Sequence, residues 1–432
     1  MDINLSPIKI SGLSAVSKRL LIDRSSDDLS SVHESVLKIV SDVHKRGDAA
    51  ILETCMDLPP GTKAEEIEVP EDEIKKAVNE VNPAILDSIK LASENIRRFH
   101  EAQKEKDMWS IEIREGILAG RISRPIECVG CYVPGGRASY PSSILMTVIP
   151  AKVAGVKNIM VATPPGAGLK VPPITLAAAY LAGCDRMFRI GGPWAISAFA
   201  HGTETIPKAD KIVGPGNKYV TAAKMMVFGK VAIDSPAGPS EALIITDHTA
   251  NPRYAAFDFL SQCEHDPDSS AVLISTDKSV AETICEIIIK EFPKLPRRDI
   301  LKSSVARSHV LLADNLEEAV NFANEYAPEH LQIITEAPMM LLSRVKNAGS
   351  IFLGQYSPVS AGDYASGTNH VLPTGQYARM FSGLSVDDFI KKPTFQYLSK
   401  KGLEGLRKSI MTLAEAEGLP IHGMAADIRF KS

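Results

Sequence analysis

Hydrophobic residues recur along the chain with two different periods, and the pattern changes near residue 126. Three segments of the first third repeat apolar side chains at helical spacing among many charges: residues 31–46, 71–79 and 82–105. Residues 109–124 alternate apolar and polar positions around a turn at Gly116. A period near 3.6 predicts amphipathic helices, and a period of two predicts strands. We therefore predict that residues 1–125 form a helical N-terminal region with an extended hairpin.

From residue 126 onward, short apolar runs alternate with amphipathic helices such as 172–182 and 193–201. The first series of runs is IECVGCYV, NIMVAT, RMFRI, DKIVG and KVAID, and the second is EALIITD, SAVLIST, SHVLLAD, HLQIIT and GSIFLG. Strands rich in Val, Ile and Leu that are separated by helices are typical of parallel sheets covered on both faces. We therefore predict the α/β class, with two tandem, related, three-layer parallel-sheet domains of an incomplete Rossmann-like type at residues 126–238 and 239–384.

The last segment, residues 385–432, is predicted to be a helical and charged tail that ends in EGLPIHGMAADIRFKS. A segment of this length is too short to build a hydrophobic core of its own. We therefore expect the tail to dock on another surface, such as a second subunit.

The composition limits the classes of partner. Of 432 residues, 44% are hydrophobic and 23% are charged, and 48 basic against 52 acidic residues give a formal net charge of −4. Because nucleic-acid-binding proteins carry clustered basic surfaces, this balance predicts no nucleic-acid partner. No apolar run reaches the length of a membrane span and the N-terminus resembles no secretory signal, so we predict no membrane partner and a cytoplasmic location.

Six scattered cysteines do not form the framework of a disulfide-rich protein, which favours a reduced chain. Cys128 and Cys131 form a lone CxxC pair within the apolar run IECVGCYV. Neither a second cysteine pair nor a nearby histidine completes a zinc site, so a buried strand is favoured here over redox or metal chemistry.

The sequence lacks the standard fingerprints of several enzyme classes. It contains no GxGxxG after a strand, no GxxxxGK followed by Ser or Thr, no HExxH and no GxSxG. A nicotinamide enzyme on this chain therefore needs an unusual binding mode. Polar, glycine-rich segments stand instead at predicted strand ends: YVPGGRASYPSS, GGPWAIS, VGPGNKYV, SPAGPSE, SQCEHDPDS, YAPEHL and SAGDYASGTNHVLPTG. Loops at the carboxyl ends of parallel strands bind ligands in α/β folds, although any strand-to-helix turn can use glycine.

Two pairs of residues within these segments are candidates for chemistry. Gln262 and His265 end a predicted helix, 252–265, and a spacing of three places both side chains on one face. They can form half of a metal site, or His265 can simply complement the helix dipole. Glu329 and His330 follow a proline and precede an apolar strand. They can act as two separate acid–base groups, or they can be ordinary solvated charges.

Three further residues carry weaker signals. Asp363 and His370 share a loop rich in Gly and Ser, where an aspartate can ligate a metal or cap a turn. His422 is isolated in the tail, and a structural role is the more usual one for such a histidine.

Taken together, these segments resemble the histidinol dehydrogenase family over nearly the whole chain, most strongly from Gly130 to His422. The motifs that carry the resemblance are GCYVPGGRASYPSS, KIVGPGNKYV, DSPAGPSE, QCEHDPDS, YAPEHL, AGDYASGTNHVLPT and EGLPIHGMAADIR. Each motif alone is weak evidence, but chance does not produce so many in one order and spacing.

The resemblance implies one Zn²⁺ per subunit and NAD as cofactor. The implied zinc ligands are Gln262, His265, Asp363 and His422. His422 would come from the swapped tail of a homodimer partner, which explains why the tail has no core. A mixed nitrogen and oxygen set suits a zinc ion that also accepts substrate, because structural zinc favours cysteine.

The resemblance also assigns contacts to two small molecules. The implied substrate-binding residues are Ser240, Gln262, His265, His330, Asp363, His370, Glu417 and His422. The implied cofactor contacts are Tyr132, Trp194 and Asn217. The family usually has glutamine at the position of Trp194, and an indole cannot reproduce the paired donor and acceptor of an amide. This departure bears on cofactor affinity or preference.

The implied reaction is a four-electron oxidation of L-histidinol to L-histidine through L-histidinal, in two sequential NAD-linked steps that complete histidine biosynthesis. In the implied mechanism, His330 removes the hydroxyl proton during the first step. Glu329 then activates water to attack the aldehyde, and His330 assists the second hydride transfer.

Two alternatives stay open. The first is a same-fold NAD-dependent dehydrogenase of another small alcohol, such as a sulfonated diol. The segments APEHL and SAGDYASGTNH, however, match the motifs of the histidinol type. The second is a non-catalytic metal- or nucleotide-binding protein. Retention of Glu329 and His330 beside the implied ligands argues against it, and Trp194 is the one feature in its favour.

Overall fold

The computed structural model describes residues 5–24, 29–135 and 139–431. The strands are β1 Ile8–Lys9, β2 Met108–Arg114, β3 Ile117–Ile122, β4 Arg124–Pro125, β5 Cys128–Tyr132, β6 Asn158–Thr163, β7 Arg186–Arg189, β8 Lys211–Val213, β9 Ala232–Ile233, β10 Glu241–Thr246, β11 Ser270–Ser275, β12 His309–Leu312, β13 His330–Ile334, β14 Ser350–Leu353, β15 Ile390–Lys391 and β16 Thr394–Leu398.

The α-helices are α1 Ala15–Ile22, α2 Ser30–Arg46, α3 Asp48–Thr54, α4 Glu71–Ala77, α5 Pro83–Glu101, α6 Pro141–Ala154, α7 Pro173–Ala182, α8 Gly192–His201, α9 Lys218–Val227, α10 Pro252–Cys263, α11 Lys278–Glu291, α12 Arg298–Ala306, α13 Leu316–Tyr326, α14 Pro338–Leu342, α15 Val359–Tyr364, α16 Lys400–Ala416 and α17 Pro420–Asp427. The chain divides into two compact units, the first made of Met1–Gln103 with Glu127–Asp388 and the second of Lys104–Ile126 with Phe389–Ser432.

The first unit contains two parallel sheets. One has the strand order β7-β6-β5-β8-β9, and the other has the order β1-β12-β11-β10-β13-β14. Every pairing in both sheets is parallel. The predicted α/β class with parallel sheets is therefore confirmed. The division into two tandem domains at residues 126–238 and 239–384 stays a prediction, because both sheets fall within one compact unit.

Side-chain alternation along the strands explains why the second sheet is covered on both faces. Leu243 and Ile245 of β10 join a buried cluster with side chains of α13 and α14. Ile244 lies between them in sequence and packs on the opposite face against α10, α11 and α12. Successive side chains of a strand point to opposite faces, so a strand that is apolar throughout needs helices on both sides.

One face of the first sheet is buried by helices from a distant part of the sequence. Residues of α2 and α3 join a cluster with Phe188, Phe199 and Ile212. Helix α2 places Val32, Val36, Val40 and Val43 on its buried face, at the spacing from which we predicted a helix at residues 31–46. Cys131 of β5 is fully buried and Cys128 is partly buried, and all six cysteines are unpaired thiols.

The second unit contains the hairpin and the tail. Strands β2 and β3 pair as the predicted hairpin, with Gly116 at φ +76° in the turn. Strand β16 pairs with β3 in the antiparallel order β16-β3-β2, and β15 pairs with β4. The helical prediction for residues 385–432 missed β16, where TFQYL supplies the β-branched and aromatic residues that favour strands. The remaining predicted boundaries, 1–125 and 385–432, stay predictions, as does the swapped tail. No helix in the described part of the chain is long and apolar enough to cross a bilayer.

Candidate active site

The predicted site residues of the first unit lie at different edges of its two sheets. Tyr132 ends β5, and Trp194 and Asn217 follow the carboxyl ends of β7 and β8. Ser240 and Glu329, by contrast, immediately precede β10 and β13. Glu329 and His330 therefore stand at the start of an apolar strand, as predicted, whereas Ser240 precedes its strand rather than following one. Residues 136–138 of the predicted loop YVPGGRASYPSS lie outside the described residues.

The local backbone brings Glu329 and His330 to the start of β13. Helix α13 ends at Tyr326, and Ala327 adopts the left-handed conformation with φ +49°. Pro328 cannot continue a helix, and His330 begins the strand opposite Ala242 of β10. The two side chains are 6% and 3% exposed, so these are not the solvated charges of an ordinary loop.

The carboxylate of Glu329 is held through one oxygen. Oε2 accepts hydrogen bonds from Oγ of Ser240 at 2.7 Å and from the backbone N–H of Glu241 at 2.8 Å. Burial raises the pKa of Glu329 to about 7, and the nearby imidazole of His330 and these two hydrogen bonds limit the rise. A carboxyl group with this pKa can both hold and release a proton near neutrality.

His330 has two nitrogens in different settings. Nδ1 lies 3.0 Å from the carbonyl oxygen of Glu241, and because a carbonyl can only accept, Nδ1 carries the proton. Nε2 is buried, has no hydrogen-bond partner among the described atoms, and lies 3.7 Å from Oδ1 of Asp363. Burial favours the neutral ring, but the carboxylates of Glu329 and Asp363 outweigh it and raise the pKa of His330 to about 9.

Gln262 is connected to this pair through Ser240. Its Nε2 donates to Oγ of Ser240 at 3.0 Å, and its Oε1 is buried without a hydrogen-bond partner among the described atoms. The prediction of a helix over 252–265 was wrong at its end. Helix α10 stops at Cys263, so His265 lies beyond it and does not share a face with Gln262.

Asp363, His265 and His370 also belong to the site. Asp363 lies on the short helix α15 rather than in the predicted loop. Although burial opposes it, the imidazoles of His330, His370 and His265 hold the pKa of Asp363 below its usual range, so the three rings lie close enough to act on it. Nδ1 of His370 donates to the carbonyl oxygen of Asp363 at 2.8 Å.

The predicted cofactor residues differ in their accessibility. Tyr132 is 4% exposed and its hydroxyl accepts a hydrogen bond from Gly192 N–H at 3.2 Å. Trp194 is 6% exposed and its indole N–H donates to Oγ1 of Thr54 at 2.9 Å, so little of the ring is open to a ligand. Asn217 is exposed and caps α9 by accepting from the N–H groups of Tyr219 and Val220. Their contact with NAD stays a prediction.

The two predicted residues of the tail belong to the second unit. Glu417 ends α16 and His422 lies on α17, and both are exposed. Exposure leaves both side chains available to another molecule.

Two residues of the site were not predicted. The backbone N–H and carbonyl of Glu241 hold Glu329 and His330, respectively. Ser143, buried near the start of α6, lies with its Oγ 3.3 Å from Nε2 of His370. Glu241 lies in the polar segment SPAGPSE and Ser143 in YVPGGRASYPSS, and these segments were the signal that could have indicated them. The contacts of Glu241 involve its backbone atoms, so they cannot be predicted from its residue type.

The donor atoms of one chain fit part of a zinc site. Among the described residues, no three His, Cys, Asp or Glu side chains gather closely enough to hold a metal ion by themselves. Of the predicted zinc ligands, one chain supplies two residues of these types, His265 and Asp363, together with the amide of Gln262. The unpaired Oε1 of Gln262 is an acceptor whose burial costs free energy unless a ligand satisfies it. A carbonyl oxygen, an imidazole and a carboxylate are donors that zinc accepts.

A buried carboxylate–imidazole pair with shifted pKa values at the start of a parallel strand is typical of the active site of an α/β enzyme. The family model for histidinol dehydrogenase matches residues 22–430. Histidinol dehydrogenases of Methanosarcina mazei and Methanocaldococcus jannaschii are 47% and 48% identical over 98% of this chain, covering 97% and 98% of those proteins. A crystal structure of histidinol dehydrogenase from Elizabethkingia anophelis superposes with a TM-score of 0.92 at 41% identity, covering 100% of this chain and 99% of the other.

The chain belongs to the histidinol dehydrogenase family. The enzyme class inferred from the resemblance is thereby confirmed at the level of the family.

Proposed function

We propose that this protein is a zinc-dependent histidinol dehydrogenase that oxidises L-histidinol to L-histidine through L-histidinal in two NAD-linked steps, completing histidine biosynthesis. The observation that carries the proposal is the pairing of Glu329 and His330, adjacent in sequence and bound to opposite ends of one residue, Glu241. Two oxidations of different chemical type need two acid–base groups with separate tasks.

We assign the zinc ion to Gln262, His265 and Asp363 of one chain and His422 of a second copy. The buried, unpaired Oε1 of Gln262 supports the first ligand. The low pKa of Asp363 supports this residue as the charged ligand, since a carboxylate must be ionised to bind a cation. When bound, zinc supplies a cation that holds the amine and imidazole nitrogens of the substrate, and NAD supplies the hydride acceptor of each step.

His330 takes the hydroxyl proton of the alcohol in the first step. Its Nδ1–H is fixed on the carbonyl of Glu241, which leaves Nε2 as the atom that accepts a proton. The pKa of His330 is about 9 because the negative charges of Glu329 and Asp363 beside the ring favour its protonated form. A cation bound to Asp363 would lower the pKa of His330 and favour the neutral imidazole, which is the form that accepts a proton.

Glu329 acts in the second step, in which water must add to the aldehyde carbon. Both of its hydrogen bonds described above fall on Oε2, so we assign Oε1 to the water molecule. The carboxylate removes a proton from that water as the carbon–oxygen bond forms, and His330 gives the proton it took from the alcohol to the aldehyde oxygen, so the product is a neutral hydrate. His330, neutral again, then takes a proton from the hydrate as hydride leaves to NAD, which gives the carboxylic acid.

Substrate orientation is assigned to polar groups around the pair. Ser240 and His370 would contact the substrate from one chain, together with the metal ligands and His330, and Glu417 from the second copy. Ser143 fixes the ring of His370 from the side opposite Asp363. Tyr132, Trp194 and Asn217 remain the proposed contacts of NAD, with Asn217 at the N-terminus of α9, where backbone N–H groups favour anionic ligands.

The swapped homodimer is part of the same proposal. Ile421, Met424 and Ile428 are 75%, 62% and 60% exposed. They recur at helical spacing along one side of α17 and the turn that follows it. A row of exposed apolar side chains marks a surface for another protein. We take that protein to be a second copy of this chain.

The test is NADH formation from L-histidinol before and after removal of zinc with a chelator. The proposal predicts two NADH per L-histidinol, loss of turnover on chelation and recovery with zinc. Turnover of a sulfonated diol without turnover of L-histidinol would instead support the alternative alcohol dehydrogenase, and binding without turnover would support a non-catalytic protein.

A further inference from the structure

Arg24 forms an ion pair with Glu241, the residue whose backbone binds Glu329 and His330. Nε and Nη2 of Arg24 bind the two carboxylate oxygens of Glu241 at 2.7 and 2.5 Å. The side chains are 11% and 2% exposed, and the guanidinium carbon lies 3.2 Å from the ring centre of Tyr326. A planar, two-point contact of this kind fixes orientation as well as charge.

Both ends of this ion pair are connected to the loop after α15. Its Nη1 donates to the carbonyl oxygen of Ile22 at 2.8 Å, and Gln376 donates to that same oxygen at 3.0 Å. The N–H of Gly375 donates to Oε1 of Glu241 at 3.1 Å. The carboxylate of Glu241 is thus held by donors from the N-terminal segment and from the loop after α15.

The backbone of Glu241 contacts both catalytic groups. Its N–H donates to Oε2 of Glu329, and its carbonyl accepts from Nδ1 of His330. A rotation of this residue would therefore move the partner atoms of the carboxylate and of the imidazole together. Displacements of about 1 Å at such contacts cost on the order of a hundred-fold in rate.

We propose that Arg24 is a positioning residue that fixes Glu241 and, through its backbone atoms, the orientation of Glu329 and His330. The inference rests on the proposed function for the identity of the reaction. Arg24 touches neither catalytic side chain, so its effect is indirect and acts on both oxidation steps at once.

The test compares Arg24→Met, Arg24→Lys and a matched control. Arg186→Met removes another arginine that binds a glutamate, Glu68, through two nitrogens, that donates to a backbone carbonyl and that lies over an aromatic ring. We expect Arg24→Met to lower kcat for L-histidinol and for L-histidinal by about ten-fold or more, with KM and zinc content little changed. Arg24→Lys should restore part of the loss, and Arg186→Met should leave kcat within about two-fold of wild type.

A second readout does not depend on activity. With ¹⁵N-labelled histidine, the Nδ1–H signal of His330, assigned by its loss in His330→Gln, should exchange faster with solvent in Arg24→Met than in wild type or Arg186→Met. Unchanged kcat and unchanged exchange in Arg24→Met would overturn the proposal. If wild type does not oxidise L-histidinol, the proposed function fails, and the exchange measurement alone decides the role of Arg24.

Discussion

Oγ of Ser240 joins Gln262 to Glu329: it accepts a 3.0 Å hydrogen bond from Nε2 of Gln262 and donates a 2.7 Å bond to Oε2 of Glu329. The first bond fixes which end of the amide is the donor and leaves Oε1 of Gln262 for another ligand. The second favours the ionised form of Glu329. One hydroxyl group thus connects the proposed metal ligand with the proposed base.

Ser240→Ala should affect both partners at once. Without the hydroxyl donor, the pKa of Glu329 is expected to rise above about 7, which slows aldehyde oxidation at neutral pH. The amide of Gln262 loses its orientation, and zinc affinity should fall by roughly 10–100-fold. Zinc titration and kcat for L-histidinal measure the two effects. Ser88→Ala, which removes an exposed hydroxyl on α5, is the control. Loss of zinc affinity alone, or of L-histidinal oxidation alone, would show that Gln262 and Glu329 are not coupled through Ser240.

Glu329→Gln should stop the reaction after the first oxidation. The amide cannot take a proton from water, so oxidation of L-histidinal should fall by about 10²–10⁴-fold while alcohol oxidation falls far less. Separate kinetics with the alcohol and the aldehyde measure this split. Glu325→Gln, which changes a half-exposed carboxylate on α13, should leave both rates unchanged. Equal losses in the two steps would contradict the assigned division of tasks.

Aldehyde oxidation should depend on pH through Glu329. Burial raises the pKa of this group to about 7, and its carboxylate is the basic form. The rate constant should therefore fall as pH drops below about 7 and level off above it, and Glu329→Gln should lose this dependence. A wild-type profile that is flat across pH 7 would argue against Glu329 as the base for water.

His422→Asn should remove zinc, and a mixed dimer tests where His422 acts. In a dimer of one His422→Asn chain and one Glu329→Gln chain, a swapped tail restores one complete site, whereas an unswapped tail leaves both sites incomplete. We expect turnover of L-histidinal in that mixed dimer. A dimer of His265→Ala with Glu329→Gln should not turn over L-histidinal, because both residues come from the same chain. No recovery in the first mixture would rule out the swap.

Periodicity predicted the fold better than the site. Strands such as β10 and β11 are apolar at every position between their end residues, so their burial on both faces could be inferred from sequence. Strand β16 was missed because a half-exposed strand in a charged segment depends on its pairing partner, β3, for most of its stabilisation. Helix α10 ends before His265 because the chain turns after Cys263, and helical spacing alone does not show that turn.

Residue types indicated the acidic and basic side chains of the site but not the atoms that hold them. The residue types of Glu329 and His330 indicate acid–base chemistry, and the structure adds their burial and their shared attachment to Glu241. The resemblance implies that Trp194 contacts the cofactor, yet its indole is buried against Thr54. Backbone contacts and burial depend on the folded chain, so neither follows from residue identity alone.

The most direct measurement is the anomalous scattering of zinc in crystals of the holoenzyme. We predict one peak per subunit within about 2.0–2.2 Å of ligand atoms of Gln262, His265 and Asp363 and of His422 from the other subunit, beside Glu329 and His330. A fully active enzyme whose crystals show no such peak, or in which these side chains point apart, would contradict it.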